Sequence, residues 1–167
     1  MTNRQVEVQG SRFEVRASCI VHRIGIQDSL EKIVASMHSW IIIGIMSLQW
    51  ILVGFTFAFG TDYHGLIGGL DWLGLKGVGM EPNPDYAATI PAIVFMAFQM
   101  MFAVITPALI SGSIAERMHF PAFIVFMLLW ATFVYDPLAH WVWGVGGFLR
   151  ELGALDFAGG NVVHISF

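Results

Sequence analysis

Residues 36 to 60 read SMHSWIIIGIMSLQWILVGFTFAFG, 25 positions without a single Asp, Glu, Lys or Arg. About 20 consecutive apolar residues in a helix are enough to cross a hydrocarbon core of about 30 Å. This stretch is apolar on every side, as a helix is when it packs between lipid and other helices, and it settles the class of protein expected. Two further runs of the same kind follow, residues 86 to 115 and 118 to 135. A fourth, Phe157 to Phe167, has roughly half the length that a span requires. The expectation is an all-α membrane protein with three full transmembrane helices and a truncated fourth.

Composition points the same way: 56% of residues are hydrophobic, 12% are charged, and the mean hydropathy is +0.70. The net charge of -4 comes without a basic cluster, which argues against nucleic acid as a partner, since phosphate binding gathers Lys and Arg on one face. Cys19 is the single cysteine, so no internal disulfide forms. Residues 1 to 31 scatter Arg4, Glu7, Arg12, Glu14 and Arg16 through a polar arm that lacks the apolar core of a signal peptide. Residues 32 to 167 form the membrane domain.

The spans are joined by contrasting connections. After the first comes a long segment rich in Gly and Pro, carrying Asp62, Asp71, Glu81 and Asp85 against one cation, Lys76, and expected to form an ordered cap or a re-entrant cover. The second span, 86 to 113, has Pro91 near its start and Pro107 deep inside, tolerable where neighbours satisfy the freed carbonyl. GSIAERMHFP reverses the chain, and Pro121 suits the first turn of the third span. That span is expected to end near Tyr135, with DPLAHWVWGVGGFLRELGA as a second irregular loop. Lys32 and Arg117 place cations at one side, so the IAERM turn is expected in the cytoplasm and the longer loops outside.

Polar groups within apolar runs are the informative ones. Asp156 stands where it can cap a helix beginning in FAGGNVVH, accepting the N–H of Gly159, while Gly159 and Gly160 allow close backbone approach. His164 then lies about 10 Å along that helix by the rise per residue. It either lines a path through the protein or bonds a neighbouring helix. Phe98, Phe102, Trp141 and Trp143 form an aromatic set able to attract a cation, or, for the tryptophans, to anchor in headgroups. Gln49 and Gln99 read as glue between helices. His38, His64 and His140 raise a bis-histidine haem site, although His38 and His164, the pair closest in depth, fall near opposite faces.

Four segments carry a family resemblance: SLQWILVGFTFAFG, AFQMMFAVITPALISGSIAERM, PLAHWVWGVGGFL and GALDFAGGNVVHIS. Over residues 31 to 166 the chain resembles the ammonium transporters, the Amt, Mep and Rh group. The resemblance implies a channel, not an enzyme, with no cofactor. It would recruit ammonium, or methylammonium as an analogue, at an outer vestibule and pass ammonia through an apolar pore in the plasma membrane, as a homotrimer. Trp143 and Phe102 match the cation site, Phe98 and Phe102 the gate, His164 a pore histidine, and Asp156 the carboxylate that organises the site. The family has about eleven spans in two inverted halves. This chain resembles the second to fourth and the opening of the fifth, so a fragment that does not conduct alone is expected. A non-transporting membrane protein that associates with full-length subunits is the alternative.

Overall fold

The computed structural model describes residues 29, 32–33, 36–114 and 118–167. These fall into two units, Met1–His38 and Ser39–Phe167. Most of the N-terminal arm, and Arg117 with its bearing on orientation, lie outside the described residues. In the first unit, Ser36 Oγ donates to Lys32 O at 2.9 Å.

Among the described residues, three helices are long and apolar enough to cross a membrane. The first, α1, is Ser36–Phe59, and α2 is Ala92–Ile114. The third begins as α3, Phe120–Trp130, with a proline in its first turn, and passes through a π-helical turn, Ala131–Tyr135, into α4, Asp136–Trp143. After a break at residues 144–147 the short α5, Phe148–Glu151, follows. A second π-turn, Trp50–Gly54, lies within α1.

Two expected boundaries are corrected. Residues 86 to 91 do not open the second span: Ala87–Pro91 is a strand, β4, paired antiparallel with β3, Pro82–Asn83. Pro91 biases Ile90 to extended backbone, and the helix begins only after the proline. Nor does the third span stop at Tyr135. Asp136 N–H donates to Ala131 O across the π-turn, and Pro137 falls in the first turn of α4, where a missing N–H is tolerated. The long first connection is ordered, as expected. Its other hairpin joins β1, Asp62–Tyr63, to β2, Ile67–Gly68.

Asp136 is fully buried inside the bundle, not in a loop. Gln49 Nε2 donates to Asp136 Oδ2 at 2.7 Å and to Thr132 Oγ1 at 3.3 Å, so the expected role of Gln49 as interhelical glue holds. At Gly54 a Cβ would lie 2.8 Å from the Trp50 ring and 2.9 Å from Gln49 Oε1, so only glycine lets the pair close. Around it the rings of Trp130 and Tyr135 approach to 6.2 Å, Tyr135 and Trp50 to 6.1 Å, Trp50 and Phe59 to 6.2 Å, and Phe59 and Phe95 to 5.2 Å. Ile42, Met46, Val104, Phe123 and Met127 fill a second cluster among α1, α2 and α3.

The buried pair makes a distinctive stability series. Gln49→Leu strips the Asp136 carboxyl of its donor and is expected to cost about 1–3 kcal/mol. The double variant Gln49→Leu/Asp136→Leu recovers most of that loss, because two apolar groups leave nothing unsatisfied. Thermal midpoints in detergent measure both. A double variant that melts below both single variants contradicts the assignment.

Candidate functional site

Trp143 ends α4, and its indole Nε1 donates to Asp156 O at 2.8 Å. On α2, Phe98 and Phe102 stand one turn apart with ring centroids at 5.2 Å in an edge-to-face arrangement, and Phe102 reaches the Trp143 ring at 5.6 Å. Three of the four aromatics named from the sequence are therefore in one place. With Gln99, Arg150 and Asp156 they line an open cavity of about 470 Å³.

Asp156 holds the far wall by a denser version of the expected cap. Its Oδ1 accepts from Gly159 N at 2.6 Å and Gly160 N at 2.8 Å, and its Oδ2 from Asn161 N at 2.8 Å and Val162 N at 3.2 Å. The segment it caps is a series of turns, not a helix: Val163 N and His164 N both donate to Gly159 O at 2.9 Å. Gly159 serves this turn through its φ of +81°, rather than by admitting another backbone. Burial works to raise the Asp156 carboxyl, but the bonds from Asn161, Val162, Gly160 and Gly159 outweigh it and hold the group below the usual carboxylate range.

His164 is not brought to the aromatic cavity. Its side chain is exposed and its ring faces Phe167 at 5.9 Å. Trp141 also points elsewhere, donating from Nε1 to Leu66 O at 2.7 Å. His140, one of the haem candidates, is buried with both ring nitrogens engaged, Nδ1 with Ala58 O at 3.0 Å and Nε2 with Asp62 Oδ1 at 2.9 Å. It fastens the first hairpin to α4 and has no nitrogen left for a metal. His64 is exposed in that hairpin.

Sequence reasoning missed Arg150 and Tyr86. Arg150 Nη1 donates to Trp143 O at 2.7 Å, Nη2 to Asp85 O at 3.4 Å, and the guanidinium lies 5.7 Å from the centre of the Tyr86 ring. Tyr86 OH donates to Phe59 O at 2.8 Å and accepts from Val145 N at 3.0 Å. Burial raises the Tyr86 phenol above its ordinary value, partly opposed by the Val145 bond and Arg150. Nothing in their local spacing marks either residue, because every partner is distant in sequence or is a backbone carbonyl.

The depressed Asp156 carboxyl sets a pH dependence. A group lowered on folding stabilises fully above its unfolded value, about 4, and loses that contribution as pH falls through the folded value. Asp156→Asn is expected to lower stability by about 1–2 kcal/mol at pH 7. The gap between variant and wild type should close on acidification below about pH 4. Thermal midpoints across that range decide; a gap constant with pH shows that the charge does not organise the turn.

Residues 13–166 match the family model described as Ammonium Transporter Family. The chain is 57% identical over 142 residues to an ammonium transporter of Bacillus subtilis, covering 85% of this chain and 34% of that protein. Ammonium transporter Amt1 of Archaeoglobus fulgidus is 49% identical over 128 residues, 77% of this chain and 30% of the relative. Among solved structures, Saccharomyces cerevisiae Mep2 superposes with a TM-score of 0.70 at 38% identity, covering 75% of this chain and 28% of Mep2. The chain thus spans about a third of the length of the curated relatives it matches. Matched along nearly all of its sequence and along its backbone, this chain belongs to the ammonium transporter family.

Proposed function

We propose that this chain supplies the outer vestibule of a plasma-membrane channel for ammonium and ammonia. The observation that carries the reading is the meeting of Phe98, Phe102 and Trp143 on one cavity wall. Ring faces attract a cation by about 2 kcal/mol or more once water is stripped away. They offer no ligand to a hydrated metal ion, and an apolar constriction beyond them would oppose passage of charge. Asp156 positions Trp143 and orders the turn before His164, which belongs to the pore wall in this reading.

The full activity and the homotrimeric assembly draw on more wall than these residues supply. Phe98 is 55% exposed, Phe157 89% and Ile165 74%. Such surface in a conducting protein lies against further protein or lipid. We infer that the 167 residues alone do not conduct ammonia. Stopped-flow alkalinisation of liposomes holding the purified chain tests this. Entry faster than in empty vesicles, and lost on His164→Ala, overturns it; the same assay on mixtures with a full-length relative tests the alternative of an associating, non-transporting subunit.

Recruitment is tested in a hybrid in which residues 39–167 replace the matching segment of the Bacillus subtilis transporter. Trp143→Leu is expected to lower methylammonium uptake at limiting concentration about tenfold. Unchanged uptake removes the aromatic face from the reading. Orientation is tested separately. Gly79 bonds through its carbonyl to Ile93 N at one end of α2, and Ser113 lies at the other. In a Cys19→Ser background, a cysteine at Gly79 should react with an impermeant reagent applied outside, and one at Ser113 should not.

A further inference from the structure

Gln99 lies on α2 between the two phenylalanines of the cavity in sequence, is 8% exposed, and lines the same cavity as Trp143. Among the described residues, no hydrogen bond reaches its Oε1. A carboxamide carries two donor hydrogens and an oxygen with two lone pairs, and buried ones are ordinarily satisfied. The other mid-span glutamine also has an unpaired Oε1, but Gln49 commits its Nε2 to Asp136 and Thr132 across the bundle, whereas Gln99 lines the aromatic cavity. Gln99 was expected to join helices in the same way, yet it pairs with none of them through that oxygen. A buried amide oxygen without a protein partner, on a residue of an aromatic wall, is suited to an N–H of a ligand.

We propose that Gln99 is a hydrogen-bonding residue of the cation site, its carboxamide oxygen accepting an N–H from an ammonium or primary alkylammonium ion held against Phe98, Phe102 and Trp143. The inference rests on the reading of this cavity as a cation site and adds a specificity to it. A ring face attracts positive charge whatever carries it. An amide oxygen separates ions that bear an N–H from ions of equal charge that do not. Being neutral, it does so without the strong attraction by which a buried carboxylate would retain the ion. Arg150, in the same wall, is engaged with Trp143 O and Asp85 O and offers no acceptor. Rotation of the amide about its last torsion exchanges oxygen and nitrogen, so the acceptor can be turned toward the cavity without moving α2.

Two probes separate the contributions. Methylammonium has N–H groups; tetramethylammonium has the charge and none. Binding of each to the full 167-residue chain in lipid nanodiscs is followed by ligand-observed saturation-transfer NMR. For Gln99→Leu and the volume-matched Gln99→Met, methylammonium affinity should fall about tenfold, with tetramethylammonium affinity within about twofold of wild type, which also reports that the cavity has kept its shape. Trp143→Leu should weaken both probes. If the Gln99 variants weaken both cations alike, or neither, while wild type binds both, the role of Gln99 is wrong and the cation site stands. If wild type binds neither, the cation-site reading fails and takes this inference with it.

Discussion

One carboxylate shapes the wall of the aromatic cavity. Asp156 gathers four consecutive backbone N–H groups, and in doing so turns the chain at Gly159, where the backbone adopts a left-handed conformation. Unpaired N–H groups at depth are costly, and a side chain that satisfies four of them defines the path of the segment around it. The same residue turns its carbonyl to the Trp143 indole, and the indole in turn meets Phe102. The ring that faces the cavity is therefore positioned by a backbone carbonyl whose own place is set by a charge.

The helices have an equivalent constraint deeper in the bundle. Both π-turns lie beside the Gln49–Asp136 bond, one beginning at Trp50 and the other ending at Tyr135. Each adds a wide turn that shifts the helix face. The wide turns leave a polar pair, a buried tryptophan and a buried tyrosine all directed inward, an arrangement the usual 3.6-residue period does not dictate. Buried polar links of this kind contribute little net stability when compared with apolar replacements, and their value lies in fixing one packing over others.

How much could be read from the amino acids depended on the range of the interaction. The three spans were legible because absence of charge over 20-odd residues is a local property. Phe98 and Phe102 share a helix face by spacing, and Asp156 precedes its N–H partners by only a few positions. Asp136 was misread for the converse reason: a carboxylate ordinarily ends an apolar run, and the glutamine that admits it lies 87 positions earlier. The π-turns carry no breaker in WILVG or ATFVY and were invisible. Strands of two residues, such as Asp62–Tyr63, are too short for any period to show. The glycine at 159 was assigned to close packing when its backbone angle was the reason, a distinction that resides in φ and not in the residue type.

The chain of rings from Trp130 through Tyr135, Trp50 and Phe59 to Phe95 bears on how this sequence can drift. Each ring is placed by the edges of the next, with centroids 5.2 to 6.2 Å apart, and three different helices contribute. Loss of one large ring leaves a cavity costing about 3–5 kcal/mol, while enlarging a neighbour strains the following contact. Neutral change at these positions must therefore come in compensating sets, and the neighbours of a substituted ring are where the second change falls. In divergent lineages the ring core and the cavity that Phe59 and Phe95 also line would then change together.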